Sequence, residues 1–311
     1  MAESQIPVDL FNPGQVMACL GLLEAAEILI GGAEGGFDWS DGMTARFRLR
    51  AAGPTDPVRE ILRFLAEAEV VALIPQGPAF DASAWTEKQE AFPLEQWKAH
   101  WELEVEFVSH EMLPFGIPDR SDVLPALLRT KQACLTVDHW GDRTRRDAFK
   151  LWAGGGGIKG VKGGKPGARI LRDCLEAARG PLQEKLDAIA ADPFAFATPL
   201  SSGFRVDWRR DYIPLEIGFS PNEHSSMTMR GHPLVEVLAV IGLQHARPER
   251  LERLAYRYGV ADGLLPPLLA RAAFGAAELP LPMRRFRMRL GWPGQEGQAR
   301  CIVDVVEENW R

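Results

Sequence analysis

Cysteine and long apolar runs are both scarce in this chain, and each shortage excludes a class of protein. The 311 residues include four cysteines, which are scattered and form no C-x-x-C pair, and this argues against a disulfide framework and a zinc knuckle. No run of about eighteen apolar residues occurs, and the N-terminus lacks the basic start and apolar core of a signal peptide. We therefore expect a cytoplasmic protein with no membrane partner.

Signatures of catalysis are missing as well. The histidines include no H-E-x-x-H or H-x-x-x-H spacing, and no G-x-S-x-G elbow occurs. Lys159 and Pro166 stand where a P-loop around Gly164-Lys165 needs a glycine and a Ser or Thr. Three carboxylates share one predicted strand face: Glu102, Glu104 and Glu106. Carboxylates arranged in this way are far more often solvated than bound to a metal ion. The sequence thus predicts a protein that is not an enzyme and needs no cofactor or metal.

Positive charge and glycine are concentrated in the segment 143–172. The whole chain has a formal net charge of −6, whereas this segment holds nine Lys or Arg against one Asp, a local charge of +8. Within its glycine-rich loop, residues 154–167, a lysine recurs every three residues, which suits phosphates presented along a line. A flexible, solvated insertion would have the same composition. We favour a nucleic-acid contact because Trp152 at the mouth of the loop suits stacking on a base or sugar.

A second cationic surface is predicted on the last strands. Three arginines alternate with Phe286, Met288 and Leu290, so they share one strand face, although such a face also serves to block edge aggregation. The predicted nucleic-acid-binding residues are therefore Arg143, Arg145, Arg146, Lys150, Trp152, Lys159, Lys162, Lys165, Arg169, Arg285, Arg287 and Arg289.

Periodicity and start signals predict the helices and strands. Helices are expected after Asn12-Pro13, Asp56-Pro57 and His232-Pro233, from Pro248 to Gly259, and over 121–132, 142–152 and 168–190, the last interrupted at Gly180-Pro181. Strands are expected over 44–50, 70–74, 101–107, 204–208 and 212–219, with a terminal hairpin of 285–290 and 300–306 around a turn at 291–294.

This pattern predicts an α+β fold with a mixed or antiparallel sheet and a helix-rich central region, and it points to ferredoxin-like or RRM-like pieces. We expect an α/β part over 1–119, a helix-rich part over 120–195 that carries the basic loop, and an α/β part over 196–311. These parts would form one compound domain or two tightly packed ones. The helices after Asn12-Pro13 and His232-Pro233 share a Gly-Leu pair about two turns in, which suits either a duplicated unit or chance.

Several segments together resemble one family. They are IPVDLFNPGQ (6–15), ACLGLLEAA (18–26), HWGD (139–142), FKLWAGGGGIK (149–159), LEIGFSPN (215–222) and PLVEVLAVIGLQ (233–244). They are similar to a CRISPR-associated protein of subtype I-U (now I-G), a subunit of the Cascade-type effector complex. The resemblance implies a non-catalytic, large-subunit-like protein that binds guide RNA and target DNA, joins other subunits of the complex and helps to recruit a helicase-nuclease.

Two other functions stay open at the level of sequence. A metal-independent ribonuclease that processes guide RNA would use a glycine-rich loop and a general-base histidine, for which His139 is the candidate. A protein–protein interaction module would bind no nucleic acid at all. Specific cleavage of repeat RNA without added metal would favour the ribonuclease over the complex subunit. Protein partners that stay bound at high salt would favour the interaction module.

Overall fold

The computed structural model describes residues 1–76, 98–99, 102–109, 126–137, 167–200, 203–210, 229–291 and 301–308. The chain divides into two compact units. The larger unit contains 1–66 and 174–311, and the smaller unit contains 67–173. These boundaries differ from the positions 119/120 and 195/196 suggested by the sequence pattern. Helices and several mixed or antiparallel sheets are present, which confirms the predicted α+β class.

The N-terminal sheet of the larger unit follows a strand–helix–strand–strand order: β1 (Ala2–Val8), α1 (Pro13–Leu29), β2 (Glu34–Asp38) and β3 (Ala45–Ala51). The strands are antiparallel in the order β1-β3-β2. This is the arrangement of the first half of a ferredoxin-like fold. After α2 (Pro57–Glu67), however, the next strand pairs in a separate sheet instead of completing this one.

A second strand–helix–strand–strand run recurs later in the larger unit. It consists of β9 (Arg230–Gly231), which pairs with β8 (Thr198–Pro199), followed by α4 (Pro233–His245), β10 (Glu249–Glu252) and β11 (Ala255–Ala261). The predicted helices at Asn12-Pro13 and His232-Pro233 are both confirmed. Each places proline in its first turn, where the missing N–H costs nothing.

Helices α1 and α4 pack directly on each other through two glycines. A Cβ at Gly21 would lie 1.9 Å from the carbonyl oxygen of Leu238, and one at Gly242 would lie 2.2 Å from that of Met17. Only glycine permits this approach of the two backbones. Because each helix is covered around its circumference, residues 13–26 of α1 and 233–244 of α4 are all buried.

The C-terminal sheet has the order β10-β11-β12-β13, with β12 (Met283–Gly291) antiparallel to β13 (Cys301–Glu308). The predicted terminal hairpin is thereby confirmed, while residues 292–294 of its predicted turn lie outside the described residues. Tyr258 and Phe286 stack on the inner face, with ring centroids 5.2 Å apart. The Tyr258 hydroxyl donates to the carbonyl oxygen of Leu10 at 2.7 Å. Helix α5 (Pro267–Phe274) lies between β11 and β12 in the chain.

The smaller unit contains a four-stranded mixed sheet. Its strands are β4 (Glu69–Gln76), β5 (Glu104–Ser109), β6 (Ala126–Arg129) and β7 (Cys134–Val137), in the order β5-β4-β6-β7. Strands β4 and β5 are parallel and the other pairs antiparallel. Helix α3 (Gly167–Ala191) has its first residues in this unit and the rest in the larger one.

Four predictions of local structure are wrong. Residues 126–129 of the predicted helix 121–132 form β6, because Ala126 and Leu128 alternate inward between two neighbouring strands. The predicted helix from Pro248 to Gly259 is instead β10 and β11, whose buried Tyr256, Tyr258 and Val260 follow strand periodicity.

The predicted strand 204–208 does not form: residues 204–207 belong to no strand, and 208–210 form a 3₁₀ turn. Helix α3 continues through Pro181, and its backbone departs from helical angles at Lys185.

The predicted helix 142–152 and the predicted strand 212–219 lie outside the described residues. Strands β1 and β2 were not predicted. Their backbones are held by pairing with β3, which is a long-range interaction that local sequence signals only weakly.

Candidate nucleic-acid interface

Four of the predicted nucleic-acid-binding residues lie in the described part of the chain: Arg169, Arg285, Arg287 and Arg289. The others lie outside it, namely Arg143, Arg145, Arg146, Lys150, Trp152, Lys159, Lys162 and Lys165. The geometry of the candidate interface is therefore that of the C-terminal sheet.

Strand β12 separates its side chains onto two faces, as predicted. Phe286, Met288 and Leu290 are buried on the inner face, with 0%, 0% and 3% of their surface exposed. Arg287 and Arg289 are exposed on the opposite face. Residues two apart on a strand are about 6.8 Å apart, which equals the rise along the helix axis over two nucleotides of B-form DNA.

Among the residues that the structure describes, Arg287 and Arg289 have no partner carboxylate, whereas the neighbouring Arg257 has two. Arg257, opposite Arg287 in the register, donates from Nη1 to Glu249 at 2.9 Å and also bonds Glu308. The hydrogen bond to Glu308 is the main cause that raises the pKa of Arg257. Within the described residues, neither Arg287 nor Arg289 forms an ion pair.

Arg285 differs from Arg287 and Arg289 in being buried. Only 6% of its surface is exposed, although it shares a strand face with Arg287. In the register it lies between Gly259 and Glu308. The carbonyl oxygen of Ala273 in α5 would be 2.4 Å from a Cβ at Gly259, so this helix packs over the end of the sheet that holds Arg285. A buried guanidinium is not placed to meet a phosphate from solvent.

Arg169 is also engaged with protein carboxylates. Its Nε donates to Asp173 and its Nη1 donates to Glu102, both at 2.9 Å. Arg172 bonds the same Glu102 carboxylate at 3.1 Å. The hydrogen bond from Arg169 is the main cause that lowers the pKa of Glu102. These contacts make Arg169 part of an ion-pair cluster in the smaller unit, and its role in binding nucleic acid stays a prediction.

The three predicted strand-face carboxylates are not gathered into a metal site. Glu102 belongs to the arginine cluster, and Glu106 accepts from Arg129 at 2.6 Å. In the part of the chain that the structure describes, no group of three or more His, Cys, Asp or Glu residues is arranged to hold a metal ion.

A buried polar cluster that no sequence pattern predicted lies where α1 and α4 begin. The fully buried carboxylate of Asp207 accepts from the Nδ2 of Asn12 at 3.1 Å and from the Nε of Arg209 at 2.9 Å. The Nδ1 of His232 lies 3.7 Å from the same carboxylate. The backbone N–H of Asp207 donates to Glu236 at 3.3 Å. Because Asn12 and His232 cap the two helices, both N-termini meet at Asp207.

The pKa of Asp207 reflects two opposed effects. Burial raises it, but the hydrogen bonds and charge of Arg209, together with His232, outweigh burial, so the pKa lies below its ordinary value. The carboxylate is therefore charged at neutral pH. It faces the positive ends of two helix dipoles, which stabilises it further.

A second buried carboxylate joins α1, α4 and α5. Glu24, with 1% of its surface exposed, accepts from the Nε and Nη2 of Arg271, both at 2.6 Å. The Nδ1 of His245 lies 3.6 Å from it. Glu24 and Gln244 are among the few polar residues of these largely apolar helices, and such residues were the available sequence signal for a buried network.

Comparison of the chain with known protein families, with curated proteins and with solved structures finds no match. Among the described residues, no helix is long and apolar enough to cross a membrane. No related protein indicates an interface, so the candidate interface is defined by the geometry of its own residues alone.

Proposed function

We propose that this protein is a non-catalytic subunit of a type I CRISPR surveillance complex of subtype I-U (now I-G). In this proposal it binds phosphates of guide RNA or target DNA in cytoplasmic antiviral defence. The observation that supports the nucleic-acid contact is the pair Arg287 and Arg289, exposed on one face of β12 and without ion pairs in the described part of the chain. Membership of the complex is supported by the resemblance of the sequence segments.

The chemistry of guided recognition suits such a surface. Base pairing with the guide supplies sequence identity, so the protein needs chiefly to hold backbone phosphates. Guanidinium groups bind phosphate in a bidentate manner, and a β-strand holds them at fixed spacing. The lysines of the loop 154–167 would bind phosphates as point charges. Other Cascade subunits and a recruited helicase-nuclease are the proposed protein partners.

The test is the salt dependence of nucleic-acid binding. The double variant R287Q/R289Q removes two phosphate contacts, so the slope of log K against log [salt] should flatten by roughly 1.4 to 1.8 units, with similar losses for all sequences. The triple variant K159A/K162A/K165A should flatten it by roughly 2 to 3 units. Fluorescence anisotropy with labelled RNA and DNA at several salt concentrations measures both.

The matched control is R59Q/R63Q, which removes the same charge from two arginines that are paired with Asp187 and Glu60. It should keep the wild-type slope to within about half a unit, since paired arginines release few counterions from nucleic acid. Equal slopes for the wild type, R287Q/R289Q and the lysine variant would exclude the proposed contact. Specific cleavage of repeat RNA without added metal would favour the ribonuclease instead.

A further inference from the structure

A groove in the larger unit lies outside the candidate nucleic-acid interface. Its walls are the end of β1 with the residues that follow it, the connection from β2 to β3, and the segment after α3. Its empty volume is about 1340 Å³, including the part open to solvent. This is enough room for several side chains of a bound segment.

The groove exposes apolar side chains. Met43 has 92% of its surface exposed and Phe11 has 38%, while Trp39 is partly exposed beside them. The guanidinium of Arg284 lies 5.8 Å from the centre of the Trp39 ring, a cation–π contact that orients the indole. An exposed methionine and phenylalanine in one concavity are typical of a protein-binding surface.

Three aspartates line the same groove: Asp9, Asp41 and Asp192. Each accepts a hydrogen bond from a backbone N–H of its own turn, at 2.9 Å, 3.2 Å and 3.1 Å respectively. The turns thus fix the positions of the carboxylates. In the described part of the chain, none of the three forms an ion pair.

The two arginines of the groove do not neutralise these aspartates. Arg209 is bonded to the buried Asp207, and Arg284 makes two hydrogen bonds of 2.7 Å to Glu307. Each guanidinium is therefore matched by a carboxylate of its own. As far as the described residues show, three uncompensated negative charges remain beside an apolar surface.

We propose that this groove binds a basic peptide segment of a partner protein, with Lys or Arg side chains flanking an apolar residue. The cations would meet the three aspartates and the apolar side chain would cover Met43 and Phe11. A nucleic acid is disfavoured here, because phosphates would face uncompensated carboxylates. The proposal is independent of the phosphate contact proposed for the C-terminal sheet.

The test uses the full chain and a set of labelled 12-residue peptides. In one set two or three Lys or Arg residues flank a single Leu, Met or Phe; in the matched set Glu replaces the basic residues. We expect members of the basic set to bind and the acidic set to show no binding. The variant D9N/D41N/D192N keeps an acceptor oxygen for each turn but removes the charge, and should weaken the best peptide about 30-fold at low salt, roughly threefold per carboxylate.

Two further variants distinguish binding in the groove from a general effect of the protein's net charge on peptide affinity. M43S, at an almost fully exposed position, should weaken the best peptide about fivefold because apolar burial is lost. The control E184Q/E252Q/E278Q makes the same charge change at exposed glutamates outside the groove, and should change affinity less than about twofold. The proposal is overturned if no basic peptide binds, if the control weakens binding as much as the aspartate variant, or if M43S reduces affinity for RNA.

Discussion

Asp207 is the residue on which the start of two helices depends. Its buried carboxylate bonds Asn12 and Arg209, and its backbone N–H bonds Glu236. Removing one partner of a buried ion pair leaves the other groups without their hydrogen bonds, which costs far more than losing an exposed pair. The residue therefore has a structural importance that its sequence context does not indicate.

We expect D207A to lower the free energy of unfolding by about 3 kcal/mol, at the low end for a broken buried pair, because Arg209 retains some contact with water. Urea denaturation followed by circular dichroism measures this. The control D187A breaks the exposed pair between Asp187 and Arg59, and should cost less than about 1 kcal/mol. Equal losses for the two variants would show that Asp207 is not a buried anchor.

The two histidines of the helix ends predict how stability depends on pH. Burial is the main cause that lowers the pKa of His232 and His245, and it outweighs the raising effect of Asp207 and Glu24. Because the folded pKa is depressed below 6.5, the unfolded chain binds more protons as pH falls. The contribution of the histidines to stability is complete above pH 6.5 and is lost as pH falls through 6.5 toward the folded pKa.

The free energy of unfolding should accordingly decrease between about pH 8 and about pH 5.5, above the range where most carboxylates titrate. Urea titrations across this range measure the slope. The variant H232Q/H245Q should show a flatter dependence than the wild type. A wild-type stability that is constant over this range, or a variant with an unchanged slope, would contradict the prediction.

At the level of elements, α1 and α4 form the central contact of the larger unit. Both helices begin at Asp207, and farther along Glu24 of α1 meets His245 of α4, so the helices run parallel. Parallel helices place their dipoles side by side, which is unfavourable, and the carboxylate at the shared N-terminal end offsets this. Close packing at the two glycines supplies the attraction.

Substituting these glycines should force the helices apart. G21A and G242A would each place a Cβ about 2 Å from a carbonyl oxygen, so each should lower the free energy of unfolding by about 2 to 3 kcal/mol despite the better helix propensity of alanine. Thermal and urea unfolding measure this.

The control is G180A in α3, where nothing lies within 4 Å of the added Cβ. It should change stability by less than about 1 kcal/mol, since alanine favours the helix but precedes Pro181. If all three variants were equally stable, the backbone contact between α1 and α4 would have no energetic role.

On the scale of the whole molecule, the larger unit is built from two distant parts of the chain, 1–66 and 174–311. Each part contributes one of the two central helices, and both helices are strongly apolar. A fragment that carries only α4 would expose a surface that α1 covers in the full chain. Neither part is therefore expected to fold alone.

Fragment 174–311 should accordingly give no cooperative unfolding transition when it is produced alone. Co-expression with a tagged fragment 1–66 should restore a complex that purifies as one species, because α1 and α4 then meet. Introducing G21I into fragment 1–66 should abolish the co-purification. A cooperative transition for 174–311 by itself would show that the two parts are independent domains.

Local sequence determined the elements whose signals are complete within a few residues. Asn12 accepts from the N–H of Gly14, Pro13 sets the first turn, and apolar periodicity extends α1 to its end. The β12–β13 hairpin was likewise predictable, because alternation of arginine with apolar residues has strand periodicity. The α+β class followed from the same patterns, whereas the function stays a proposal.

Tertiary structure decided what depends on partners far along the chain. Residues 126–129 and 248–259 match helical signals, yet pairing with neighbouring strands makes them β-structure. Arg285 and Arg287 are equivalent by sequence, but packing of α5 at Gly259 buries one and leaves the other exposed. Asp207 meets Asn12 across 195 positions. Local propensities amount to less than about 1 kcal/mol per residue, so long-range pairing and burial prevail wherever the two disagree.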